Sequence, residues 1–246
     1  MMNFNMIKIV MKRQLHSYFA TPIAYVFILM FLVLAGVFTF YLGHFFEKSQ
    51  ADLSAFFNFH PWLYLFFMPA IAMGLWAPER QLGTIELLMT LPIGAVNALV
   101  GKFMAAWLFA GITLVLTFPI WMTVAYLGDP DNGVIIGGYL GSWLMAGGFL
   151  AIGTCMSVCS KNQIVAFILT VVVCFLFMVS GVPMVLDAFA WAPQAMIDFI
   201  AGISLLTRFD AIARGVLDLR DIAYFALLIT TWLYLAYVLL QRNKAK

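Results

Sequence analysis

The sequence predicts an all-α polytopic membrane protein with six transmembrane helices, and three observations predict it. Hydrophobic residues make up 65% of the 246 positions and charged residues 10%, whereas soluble domains carry about 25% charged residues. The few ionisable side chains gather between long uncharged runs, and a spanning helix needs about 20 mostly apolar residues. A charge at a helix centre costs about 2.5–3.5 kcal/mol on insertion scales, so charge-free runs of this length are informative. The chain reads as a single transmembrane domain over 1–246. No cleavable signal peptide is expected: the first strongly apolar run is too long for a signal h-region, and no A-x-A-like site follows it.

The runs give the spans in order: Pro22 to Gly43, Pro61 to Pro78, Phe103 to Gly128, Asn132 to Ser160, Asn162 to Leu186, and Ile222 to Gln241. Before the first, Ile7, Val10, Met11, Leu15 and Tyr18 recur at helical spacing. Lys8, Lys12 and His16 form the opposite face, with Arg13 beside it. This predicts an interfacial amphipathic helix over 1–20, lying in the inner interface. Thr21-Pro22 then reads as an N-cap followed by proline in the first turn.

One segment is ambiguous. Ala188 to Thr207 is apolar but holds Asp198 near its middle, between Pro193 and Gly202. With six spans and an inner N-terminus, nine of the 13 Lys and Arg residues lie inside: Lys8, Lys12, Arg13, Arg80, Lys102, Lys161, Arg242, Lys244 and Lys246. With seven spans, Arg208, Arg214 and Arg220 replace the last three, so the count is unchanged and only the N-terminus is fixed. Asp198 at mid-membrane and the flanking Pro and Gly favour six. The stretch 187–221 is then expected as short or re-entrant helices on the outer face. Within it, Leu205, Phe209, Ile212 and Val216 share one stripe. Asp210 and Arg214 stand four apart, a spacing that favours an ion pair. Gly215 serves close packing or ends the helix, and Asp218 and Asp221 are candidate N-caps.

The stretch Pro78 to Ile93, "PERQLGTIELLMTLPI", holds both inner carboxylates, Glu79 and Glu86. Read as a helix it is amphipathic: Leu82, Ile85, Leu88 and Met89 oppose Glu79, Glu86 and Thr90. Pro78 is placed to start it, Pro92 to stop it, and Gly83 interrupts it at a cost near 1 kcal/mol. A short helix of this kind suits lipid headgroups or a cytosolic protein equally well.

Other features read as structural. Gly133, Gly137 and Gly141 recur every four residues, which suits close helix approach within the chain. Phe56, Phe57, Phe59, Trp62, Phe66 and Phe67 read as an interfacial aromatic belt, with a substrate-lining role as the alternative. Cys155 and Cys159 share a helix face but have no His, Asp or Glu near them in sequence. They and Cys174 read as packing residues, and no metal site is expected. "GKF" at Gly101 to Phe103 is not a P-loop: it lacks a glycine five positions earlier and a Ser or Thr after the lysine. No catalytic constellation stands out, and no cofactor is expected in this chain.

"APERQLGTIELLMTLPIGAVNALVGKFMAAW" resembles the inner loop of ABC-2-type permeases, the membrane subunits of a class of ABC transporters. "SYFATPIAYVFI" and "LTRFDAIARGVLDLRDIAYF" resemble the same family, in the expected order. Within it the likeness is greatest to the gliding-motility permeases, and more distant to the copper-maturation permease of nitrous oxide reductase. The resemblance implies six spans, both termini cytoplasmic, and a place in a bacterial inner membrane. It implies that 78–93 is a cytoplasmic coupling helix between spans two and three, seated in an ATPase subunit. Glu79, Arg80, Gly83, Thr84 and Glu86 match the loop pattern. Glu79, Arg80 and Glu86 are expected to make charged contacts with the ATPase, and Gly83 and Thr84 to let it approach. ATP and Mg would bind that partner and not this chain.

The expected partners are the ATPase subunit, a second permease chain (identical or related), the bilayer and an accessory protein on the outer side; no nucleic acid is implied. The expected function is export of an unidentified substrate. The alternative is a non-transporting component that passes ATPase work to outer partners for assembly or motility. A secondary transporter or channel fits less well, because ionisable residues at mid-membrane are lacking.

Overall fold

The computed structural model describes residues 3–47, 52–85, 94–189, 191–216 and 218–242. The described residues are all-helical. Helix α1 spans Phe4–Phe19, and α2 spans Pro22–Val37 and runs on as a π-helical turn, Phe38–Leu42. Next come α3 (Ser54–Gln81), α4 (Ala95–Val115), α5 (Phe118–Leu127), α6 (Asn132–Cys159) and α7 (Gln163–Val179). Three short helices follow, α8 (Pro183–Ala188), α9 (Gln194–Gly202) and α10 (Leu205–Ala213), before α11 (Leu219–Arg242).

Five helical segments are long and apolar enough to cross a membrane: Pro22–Leu42, Ser54–Gln81, Ala95–Leu127, Asn132–Cys159 and Leu219–Arg242. They fit a multi-pass membrane protein. The expected fifth span differs: α7 is apolar but has only 17 residues, about 25 Å at 1.5 Å per residue. Its end explains why. Ser204, which opens α10, donates its hydroxyl to the Met178 carbonyl at 3.2 Å. From there α10 runs along α6, with Leu205 near Gly148 and Ile212 against Gly141 and Gly137. A short α7 and the returning α10 thus flank successive parts of the same long neighbour. No single helix covers the described part of Ala188 to Thr207, because α9 and α10 are separated at Ile203 and Ser204.

Helix α6 is the axis of the molecule. Among the candidate spans it is the most buried, and α3, α4, α7, α10 and α11 all pack on it. Its small residues make that possible. A methyl group on Gly138 would collide with Phe57, on Gly153 with Ala72, and on Gly148 with Leu228. Gly137 and Gly141, singled out by their spacing, receive α10. Gly215 ends α10 at a φ of +85°, a conformation open to glycine at little cost.

Helices α3 and α6 run parallel and in register. Phe57 meets Gly138, Ala72 meets Gly153, and Trp76 meets Ser157. Each α6 partner lies 81 positions after its α3 residue. Parallel neighbours are what a second and a fourth crossing require.

Several local expectations change. Helix α3 extends past both ends of its apolar run and carries Pro61, Pro69 and Pro78 inside it. Pro78 therefore does not start a new helix; Gly83, at φ +70°, follows the helix end instead. Thr21 precedes α2, but its hydroxyl donates back to Tyr18 O at 3.0 Å rather than capping α2. Asp218 accepts from the Arg220 amide at 2.9 Å, as an N-cap would. Val216 leaves the predicted stripe and is 60% exposed. The aromatic group divides: Phe56 and Phe57 are buried, whereas Trp62 and Phe66 are exposed.

Candidate functional site

The residues of the resemblance motif that the structure describes gather at the pole where α3 ends and α4 begins. Glu79 and Arg80 occupy the last turn of α3, Gln81 ends it, and Gln81 to Thr84 are exposed. Thr84 and Ile85 are helical, and Glu86 with the rest of 86–93 lies outside the described residues.

The geometry begins with Pro78. A proline has no N–H to give to the carbonyl four residues back, here Gly74, and its ring crowds that carbonyl. Neighbouring helices supply polar groups to this turn of α3. Ser157 on α6 accepts from the amides of Trp76 and Ala77, each at 3.0 Å, and donates to Met73 O at 3.1 Å. Lys102 on α4 donates to Leu75 O at 2.7 Å.

Lys102 is almost wholly buried, and a buried ammonium must be paired. Its Nζ lies 2.5 Å from Glu79 Oε1 and 4.4 Å from the centre of the Trp76 ring. The carboxylate, the carbonyl and the indole face together replace the water the ammonium has lost. Arg80 turns the other way, and its guanidinium donates to the Val158 carbonyl on α6. Two adjacent side chains thus fasten the end of α3 to α4 and to α6. The "GK" of the motif also acquires a structural meaning. Gly101 lets Val10 of α1 lie directly on α4, and Lys102 holds Glu79.

The apolar face of α1 accordingly packs on protein. Ile7 is buried, and Leu15, Tyr18 and Phe19 join the core. A cavity of about 220 Å³ remains between α1, the end of α3 and the start of α4; Arg13, Gln14, Ser17, Glu79 and Lys102 line it.

At the opposite pole the expected Asp210–Arg214 ion pair is not formed. Arg208 pairs instead with the buried Asp221 of α11, at 3.0 Å. This joins α10 to the last long helix. Burial raises the Asp210 carboxyl above its ordinary range, and Arg214 works against that. Asp210, Arg214 and Gly215 all lie towards the C-terminal end of α10.

Sequence reasoning placed Glu79, Arg80, Gly83 and Thr84 in one stretch, and the structure brings the first two into a clasp. It held Lys102 only as part of the motif, without its link to Glu79, and missed Ser157; these two complete that clasp. A lone lysine at the start of an apolar run was a usable signal; Ser157, inside an apolar run, left none. Among the described residues, no three His, Cys, Asp or Glu side chains gather to hold a metal. Cys155 and Cys174 are buried free thiols and Cys159 an exposed one. Comparison with models of known protein families and with curated proteins returned no match.

Proposed function

We propose that this chain is the membrane subunit of an ABC transporter of the ABC-2 type, with six crossings and both termini in the cytoplasm of a bacterial cell. A separate ATPase subunit binds and hydrolyses ATP, and a second permease chain completes the path. The observation that carries this reading is the clasp beneath the loop. A partner pressing on the exposed Gln81 to Thr84 surface pushes the end of α3. Glu79 passes that displacement to α4 through Lys102, and Arg80 passes it to α6 through Val158 O. Glu79 and Arg80 therefore act as struts inside the subunit. The direct contact falls to Gly83, Thr84 and Glu86.

The test is to purify the chain from its native membrane and measure ATP hydrolysis by what comes with it. Thr84→Arg and Glu86→Lys should each release the ATPase while the chain still inserts and purifies. If the unaltered chain brings down no ATPase, the reading fails. Flux into vesicles then separates export from mechanical work on outer partners.

A further inference from the structure

The cavity at the loop pole has an unusual set of walls. Lys102 is spent on Glu79 Oε1. Glu79 Oε2 is buried as well and has no hydrogen-bond partner among the described residues. Leaving a buried carboxylate oxygen without a donor is costly, so a donor from outside the chain is expected there. Arg13, on α1, makes no ion pair among the described residues and stands on the same cavity with Gln14 and Ser17. Arg13 and Ser17 are exposed and Lys102 is buried, so the orphan oxygen lies deep and the free cation at the rim. One carboxylate faces two cations, which leaves the site one positive charge in excess.

We infer that this cavity binds the headgroup of an anionic phospholipid whose phosphodiester carries a free hydroxyl, as in phosphatidylglycerol. The tip hydroxyl donates to Glu79 Oε2. The phosphate behind it meets the Arg13 guanidinium, with Ser17 and Gln14 as further donors, and balances the excess charge. The order from the tip, hydroxyl and then phosphate, matches the order of the walls from the floor outwards. An ammonium tip would also donate to Glu79, but it would sit beside Lys102 and leave the excess charge unbalanced. The volume is below the roughly 300–1,000 Å³ of a drug-sized ligand pocket, so it takes a headgroup and leaves the acyl chains outside. The inference rests on the chain being a membrane protein, not on its being a transporter.

The purified full chain is delipidated and reloaded from mixed vesicles, and retained lipid is weighed by native mass spectrometry. Phosphatidylglycerol should be retained about tenfold over phosphatidylmethanol, an anion without the hydroxyl, a ratio within reach of one charge-assisted hydrogen bond. It should exceed phosphatidylcholine and phosphatidylethanolamine by more. Arg13→Ala should lower its retention about tenfold, whereas Lys12→Ala, outside the cavity, should change it less than about twofold. Both replaced side chains are exposed, so both variants fold. Equal retention of phosphatidylglycerol and phosphatidylmethanol, a preference for phosphatidylethanolamine, or equal effects of the two variants would overturn the assignment. Soluble glycerophosphoglycerol competing as well as the lipid would overturn the membrane source.

Discussion

Ser157 Oγ sits 3.0 Å from the amide nitrogen of Trp76, a residue 81 positions earlier in the chain. The same offset recurs at Phe57 with Gly138 and at Ala72 with Gly153. It lets one hydroxyl on α6 serve the turn of α3 that Pro78 crowds. Ser157→Ala leaves two amides and a carbonyl short of that partner in an apolar interior. Thermal unfolding in detergent should show a loss of about 1–3 kcal/mol. Ser142, also buried on α6, has a hydroxyl without a partner among the described residues, so Ser142→Ala should fall within about 0.5 kcal/mol of the unaltered chain. Similar losses at both positions would mean that the hydroxyl of Ser157 does not matter.

The same interface predicts opposite outcomes for two glycines. At Gly153 an added methyl collides with Ala72 and presses on Thr170. Gly153→Ala should cost about 1–3 kcal/mol, as overpacking does. At Gly74 nothing lies within 4 Å of an added methyl. Gly74→Ala should be neutral or gain up to about 1 kcal/mol from helix propensity. Apparent melting temperatures of the two variants, measured side by side, decide the matter.

These contrasts show what the sequence carried. Charge-free runs located the long helices, because a buried charge is expensive whichever helix it sits on. They placed the ends poorly: α3 begins at Ser54 and ends at Gln81, since helices continue into polar sequence where neighbours cover them. Proline was the weakest guide. Pro78 reads as a helix start, yet Ser157 and Lys102 bind the turn before it and the helix continues. Partners of that kind belong to other helices, and no local pattern announces them. The break between α7 and α10 was legible only as composition, through Pro193, Asp198 and Gly202. The pairing of Arg208 with Asp221 depended on how the helices fold back.

That pairing gives a third prediction. Asp221 is buried and Arg208 about one-third exposed, so the screened pair should contribute roughly 1–2 kcal/mol, lost in Asp221→Asn. Arg214→Ala should change stability by less than about 0.5 kcal/mol. Asp210 adds a dependence on pH. Its raised carboxyl binds a proton more tightly in the folded chain than in the unfolded one. Its contribution to stability is therefore full below the unfolded carboxyl range and lost as pH rises through the folded value. Asp210→Asn stays neutral throughout, so its stability relative to the unaltered chain should improve from acid towards neutral pH. A flat difference across that range would show that the carboxyl is not buried as described.

The Glu79–Lys102 pair yields the sharpest test, because a single and a double replacement should behave differently. Lys102 is nearly sealed from water and Glu79 mostly so. Glu79→Leu alone strands a buried ammonium, and breaking a buried pair from one side costs about 3–5 kcal/mol. Lys102→Met alone strands a carboxylate with more exposure, so its loss should be smaller. In the double variant neither charge remains, and two apolar side chains of similar size fill the space. Such replacements are often neutral, so the double variant should recover most of the loss, with a coupling of at least about 2 kcal/mol across the cycle. Additive losses would mean that the two side chains do not depend on each other. If the chain is a permease as proposed, recovery of stability in the double variant without recovery of ATPase coupling would assign the charges to transmission between helices rather than to folding.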